Sequence, residues 1–142
     1  MAFNILIVDD SSAMRAVLKK TIRISGFQVG ELWEAGDGQE ALKVLGDKWI
    51  DLVLSDINMP NMNGLELMAA MRDNEMMSSI PIVVVSTEGS EKRRRESEAL
   101  GASGYIKKPF TPQDIKITLG NIMGVEEDDT VETDDDADTF DF

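Results

Sequence analysis

The sequence predicts an α/β domain, a doubly wound parallel sheet of five strands with helices on both faces. Short apolar runs of strand length, among them ILIV (5–8) and IVVVS (82–86), lack the polar alternation of half-exposed strands. That is the pattern of parallel strands covered on both sides. Between the runs lie segments whose apolar residues fall at helical spacing. The two kinds alternate five times along the chain, and repeated βα alternation implies a parallel sheet.

Each element has its own signals. After ILIV, Ser11 or Ser12 offers an N-cap; Met14, Val17, Leu18 and Ile22 form an apolar stripe, and Gly26 ends the helix. VGELWEA (29–35) is the second strand. Asp37 and Glu40 resemble a capping box before Ala41, Leu42 and Leu45. DLVLSD (51–56) is the third strand, and Gly64 opens a helix through Leu65, Met68 and Met71. IVVVS is β-branched, as a fourth strand should be. Residues 90–100 read as a nearly all-polar helix, and GYIKK (104–108) as the fifth strand. Thr111, Pro112 and Asp114 give the last helix an N-cap, a first-turn proline and an acid at its positive end. Ile115, Leu119 and Ile122 are its apolar stripe, and Gly124 stops it.

Composition narrows the chemistry. The chain of 142 residues has neither cysteine nor histidine. Thiol chemistry, Cys- or His-ligated metals, a Ser-His-Asp triad and a phosphohistidine on this chain are therefore excluded. No apolar run approaches the roughly 18 residues of a membrane span, and Met1 to Phe3 leads straight into Ile5 rather than into a signal peptide. A soluble, cytoplasmic, monomeric protein without membrane partners is the expectation. The net charge of −13 is mostly a tail: residues 125–142 hold 10 acids and no base, while the remaining 124 residues hold 17 acids and 14 bases. Residues 1–124 are expected to form one domain and 125–142 a disordered acidic appendage. Nucleic acid is not an expected partner for so acidic a chain, because its phosphates would be repelled.

Ligands of such sheets bind beyond the carboxyl ends of the strands. There stand Asp9 and Asp10 after the first strand, Asp56 after the third, Ser86 and Thr87 at the fourth, and Lys107 and Lys108 at the fifth. A single acid at a strand end is ordinarily a turn or helix cap. Acids at two strand ends, with a hydroxyl and an ammonium at the next two, are much harder to explain by capping. Crowded carboxylates raise one another's pKa, and a hard divalent cation with oxygen ligands relieves the conflict. Mg²⁺ fits best, with Mn²⁺ as a substitute. Mg²⁺ completes its shell on a phosphate, and a lysine and a hydroxyl suit the remaining phosphoryl oxygens. The set describes a carboxylate, Asp56, that takes up a phosphoryl group.

LIVDDS, LVLSDINMPNMNGLEL, VVVSTEG and GASGYIKKPF, in this order, resemble the receiver domain of two-component response regulators, from about residue 3 to residue 123. The likeness is greatest to single-domain chemotaxis regulators of the CheY type. The resemblance implies the flavodoxin-like strand order 2-1-3-4-5. It implies Asp56 as phosphoacceptor, Asp10 as direct Mg²⁺ ligand, Asp9 acting through water, and the main-chain carbonyl of Asn58 as a further ligand. It implies Ser86 as the switch hydroxyl, Lys108 as the phosphoryl-binding lysine and Tyr105 as a switch aromatic with inward and outward rotamers. A histidine kinase would be the donor. The output would be a protein target on the face of the polar helix, fifth strand and last helix, the flagellar motor switch if the role is chemotaxis. Asn63 stands where the family often has Asp, which a turn tolerates.

Other functions fit less well. A haloacid-dehalogenase-like phosphatase needs an acid two residues beyond its nucleophile, where this chain has Asn58. A flavodoxin-like carrier needs a phosphate loop where DDSSAMR places two acids. The protein is expected not to be an enzyme acting on an external substrate, although it would assist its own phosphorylation and dephosphorylation. With no DNA-binding segment after residue 124, the output is direct partner binding or, alternatively, onward transfer in a phosphorelay. Asn58 and Glu88 flank the expected path of attacking water, which predicts a phosphoryl lifetime of seconds to minutes. The run Lys92, Arg93, Arg94, Arg95 reads as a solvated helix paired with Glu91, Glu96 and Glu98; the alternative is a loose resting place for the acidic tail.

Overall fold

The computed structural model describes residues 2–87 and 91–125. Five βα units follow one another: β1 (Phe3–Val8), α1 (Ser12–Ser25), β2 (Val29–Ala35), α2 (Gly38–Asp47), β3 (Leu52–Ser55), α3 (Gly64–Arg72), β4 (Ile82–Ser86), α4 (Glu91–Ala99), β5 (Gly104–Lys107) and α5 (Pro112–Met123). The strands are parallel in the order β2-β1-β3-β4-β5, as expected. The predicted tail from residue 126 onward and Glu88 lie outside the described residues.

The period-2 alternation of the strands divides the interior into two cores. Leu6, Val8, Val53 and Val84 face one way, onto Ala41 and Leu45 of α2 and Leu67, Met68 and Met71 of α3. Ile5, Ile7, Leu52, Leu54, Val83 and Val85 face the other way, onto Leu18 and Ile22 of α1 and Ile115 and Leu119 of α5. Burying each such large side chain contributes about 1.5–3 kcal/mol over leaving it in water. The central strands are apolar on both faces because both faces are covered. β2, at the sheet edge, exposes Gly30, Glu31 and Glu34, which explains its mixed sequence.

The caps fall where the sequence puts them, with one correction. Ser11, rather than Ser12, caps α1 by accepting from the Met14 N–H, and Gly26 closes it at φ 85°, a left-handed conformation that only glycine adopts freely. Thr111 and Asp114 form a full capping box on α5. Asp37 caps α2 by accepting from the Glu40 N–H, but the Glu40 carboxylate bonds to the N–H of Gly36 instead of returning to Asp37. The expected box is thus half formed. A full one stands on α3, between Asn63 and Glu66, which the N-x-x-E spacing could have revealed.

α4 differs from the other helices. Ser97 is its one buried side chain, and its charges pair along its own surface: Arg93 with Glu96, Arg94 with Glu98, Arg95 with Glu91. Arg93, Arg94 and Arg95 thus pair with the three expected glutamates, and the alternative contact with the tail falls on residues outside those described.

Candidate functional site

Because the strands are parallel, their carboxyl ends share one edge of the sheet. Asp9 and Asp10 follow β1, Asp56 follows β3, Ser86 ends β4 and Lys108 follows β5. The ladder fixes their relative heights. The N–H of Asp56 donates to the Val8 carbonyl at 2.9 Å, and the N–H of Lys108 to the Ser86 carbonyl at 2.9 Å. The strands proper stop at Ser55 and Lys107, so Asp56 and Lys108 each lie one residue past the regular ladder, at the mouth of a loop.

Carboxylate oxygens of Asp9, Asp10 and Asp56 lie within 4.8 Å of one another. Asp9 is buried and Asp10 exposed. Asp9 Oδ1 accepts from the Ser11 N–H at 2.9 Å, and Asp56 Oδ1 from the Ile57 N–H at 2.7 Å. Lys108 Nζ stands 3.3 Å from Asp9 Oδ2 and 3.8 Å from Asp56 Oδ2. Burial pushes the Asp56 carboxyl above its ordinary pKa; Lys108 and the Ile57 N–H oppose this, and the Asp9 and Asp10 charges add to it. Lys108 thus faces Asp9 and Asp56, and Asp10 adds a third acid to the cluster. The excess negative charge, offered by oxygens alone, suits a hard divalent cation.

Of the residues singled out in the sequence, Asp9, Asp10, Asp56 and Lys108 are brought together here. Ser86 is buried at the end of the neighbouring strand, whereas Thr87 is exposed. Asn58 is exposed in the loop two residues past Asp56. Tyr105 stands on β5. It pairs with Val84 across β4 and β5 and packs, half-buried, against the core that Leu6 and Val53 share. Ser86, two residues beyond Val84, belongs to that same sheet face. The guanidinium of Arg94 lies 5.7 Å above the Tyr105 ring.

Several supporting residues escaped the sequence reading. Arg15 donates to the Asp9 carbonyl at 2.6 Å and is itself held by Glu34 at 2.8 Å. Lys19, then Arg15, keep the Glu34 carboxyl below its ordinary pKa. A base so near a helix N-terminus works against the helix dipole, and that was the available signal. Gly64, read in the sequence only as a helix opener, has a further role. A Cβ there would run into the Asp56 carbonyl and crowd the Ile57 backbone, so glycine is required by close approach rather than by its φ angle. The Gly64 N–H then reaches the Ile57 carbonyl at 2.8 Å, folding the β3–α3 loop back against the residue that follows Asp56.

No helix among the described residues is long and apolar enough to cross a membrane. Residues 5–119 match the family model described as the response regulator receiver domain. The chemotaxis protein CheY of Pseudomonas aeruginosa is 39% identical over 120 residues, covering 84% of this chain and 95% of the relative. CheY1 of Helicobacter pylori is 37% identical over 122 residues, covering 85% and 97%. Among solved structures, the chemotaxis protein CheY4 of Vibrio cholerae superposes with a TM-score of 0.77 at 34% identity, covering 86% of this chain and 99% of that one. A strand order of 2-1-3-4-5, acids and a lysine gathered at its carboxyl edge, and a family match across most of the chain agree: the chain belongs to the response regulator receiver domain family, on the CheY side of it.

Proposed function

We propose that Asp56 accepts a phosphoryl group from the phosphohistidine of a histidine kinase and that the phosphorylated chain signals by binding a protein partner. The observation that carries this reading is Asp56 itself: a partly buried carboxylate at the mouth of a loop, beside two further acids, with an ammonium 3.8 Å away. A carboxylate oxygen of Asp56 attacks phosphorus, the donor's P–N bond breaks, and the imidazole leaves with a proton; the product is an acyl phosphate. These 142 residues contain no histidine, so the phosphohistidine of the donor lies outside them.

Asp10 and Asp9 would hold Mg²⁺ together with Asp56 and the Asn58 carbonyl, Mn²⁺ substituting. Bound there, the cation supplies positive charge to the phosphoryl oxygens and relieves carboxylate repulsion. Lys108 bonds a further phosphoryl oxygen, exchanging its contact with Asp56 for one with the new group. Ser86 approaches the phosphoryl group from the end of β4. Tyr105, on the same sheet face, moves into the space this leaves.

α4 supports the output half of this reading. A helix with a single buried side chain among its described residues is weakly anchored and can shift at low cost. The output surface is then the face of α4, β5 and α5. The relatives named for chemotaxis favour direct partner binding there, a flagellar motor component being the chemotaxis case, over onward transfer in a phosphorelay. Residues 1–124 act as the receiver and 125–142 as an appended acidic segment. Incubating the chain with each phosphorylated histidine kinase of its source organism tests the reading. Rapid Mg²⁺-dependent transfer from one kinase is expected; no transfer from any of them would overturn it.

A further inference from the structure

The β3–α3 loop carries an unusual turn. Asn61 has φ 66°, the one positive φ at a non-glycine among the described residues. Around it the Met62 N–H donates to the Pro60 carbonyl at 2.6 Å, closing a three-residue turn. Such turns are strained, and strain of this kind persists only where the surroundings hold it.

What holds it comes from another loop. The Asn61 amide donates to Asp37 Oδ2 at 2.8 Å. The Gly38 N–H donates to the Met62 carbonyl at 3.0 Å, and the Met62 side chain fills the place a Cβ at Gly38 would need. The Asn61 amide, then the N–H groups at the start of α2, keep the Asp37 carboxyl below its ordinary pKa, so the acceptor is charged at neutral pH. Asp37 thus does two things. One oxygen caps α2 through Glu40, and the other grips the strained turn. At its other end the loop is fixed by Ile57, which is buried and accepts from Gly64. Asn58 lies between these two anchorages.

We propose that Asp37 is a positioning residue for the metal site: through Asn61 it fixes the loop that carries Asn58, and so sets the affinity of the acid cluster for Mg²⁺ without touching the ion. The inference rests on the metal reading above. Groups that orient a ligand from behind commonly change metal affinity by about 10–100-fold when removed. A single main-chain carbonyl among carboxylate ligands belongs at the low end of that range.

The test is a double-mutant cycle read by calorimetric titration with MgCl₂. Asp37→Ser keeps a good N-cap for α2 and loses the grip on Asn61. Asn61→Gly accepts the positive φ, loses the same bond and leaves the Asp37 charge in place. Each is expected to weaken Mg²⁺ binding by about tenfold, with the double variant no weaker than the weaker single. Thermal midpoints should stay within a few degrees of the parent. If either single variant binds Mg²⁺ like the parent, the latch is only a cap or only a charge, and the proposal fails. Asp10→Ala separates this from failure of the metal reading. If it too binds like the parent, the metal site and the latch fall together; if it loses affinity while the latch variants keep theirs, the latch alone falls.

Discussion

The ammonium of Lys108 lies closer to Asp9, at 3.3 Å, than to Asp56, at 3.8 Å. Its single charge is shared between two acids, and at 3.8 Å it makes no hydrogen bond to Asp56. Lys108 is therefore available to a group that grows outward from Asp56, and it competes with any cation drawn to the same acids.

Opposite effects on two measurements follow for Lys108→Ala. Mg²⁺ binding should tighten, because a competing positive charge is gone. Phosphoryl uptake from acetyl phosphate should slow by about a hundredfold, the usual cost of losing a charged donor to a transferring group. Calorimetry and a timed phosphorylation assay read the two. Parallel weakening of both would mean that Lys108 merely organises the loop.

Asp56 makes stability depend on pH in a defined direction. Its folded pKa is raised above the unfolded value, chiefly by burial, so the folded state binds the proton more tightly than the unfolded chain does. Its contribution favours folding below the unfolded pKa and is lost as pH rises through the folded pKa. At neutral pH without metal, Asp56→Asn should therefore raise the midpoint of thermal unfolding by a few degrees. The advantage should shrink on acidification toward the ordinary aspartate range, about pH 4. Thermal melts of both proteins across pH check this; an Asp56→Asn protein less stable at pH 7 would contradict it.

Two glycines should respond with opposite sign. Gly64→Ala drives a methyl group into the Asp56 carbonyl and should destabilise by about 2–3 kcal/mol, as overpacking does, while disturbing the metal site. Gly46 lies within α2 with open space where a Cβ would stand. Gly46→Ala should stabilise by about 0.5–1 kcal/mol through helix propensity. Urea denaturation of the two variants measures both changes.

Tyr105→Ala should separate reception from output. The ring packs on the sheet under Arg94, so phosphoryl uptake should be nearly intact. Binding of the phosphorylated chain to its output partner should weaken by at least about tenfold, or about 1.4 kcal/mol. By linkage, the partner should in turn promote phosphorylation of the parent and not of the variant. Equal loss of both activities would make Tyr105 a packing residue only.

The sheet and the acid cluster were legible because both depend on local signals. Doubly covered strands write themselves as unbroken apolar runs such as ILIV and IVVVS, and a parallel sheet then brings residues far apart in sequence to one edge. That logic reaches Asp9, Asp10 and Asp56 from spacing and leaves Lys107 and Lys108 both open; the resemblance to the receiver family picks out Lys108. It stops at the loops. Nothing local announces that Asn61 grips Asp37, 24 positions earlier, or that Arg15 reaches back to the Asp9 carbonyl. Glu40 bonding Gly36 rather than Asp37 is a difference of one residue in reach, set by how the chain enters α2. Gly64 was visible as a helix opener, yet its need for glycine comes from the Asp56 backbone beside it, a tertiary fact.

Intact-protein mass spectrometry after incubation with acetyl phosphate, with and without Mg²⁺, shows whether the phosphoryl group arrives on Asp56. The parent should gain the mass of one phosphoryl group only when Mg²⁺ is present, lose it on brief alkaline treatment, and show no gain as Asp56→Asn. Undiminished modification of Asp56→Asn, or a parent that stays unmodified with Mg²⁺ present, would rule out Asp56 as the phosphoacceptor.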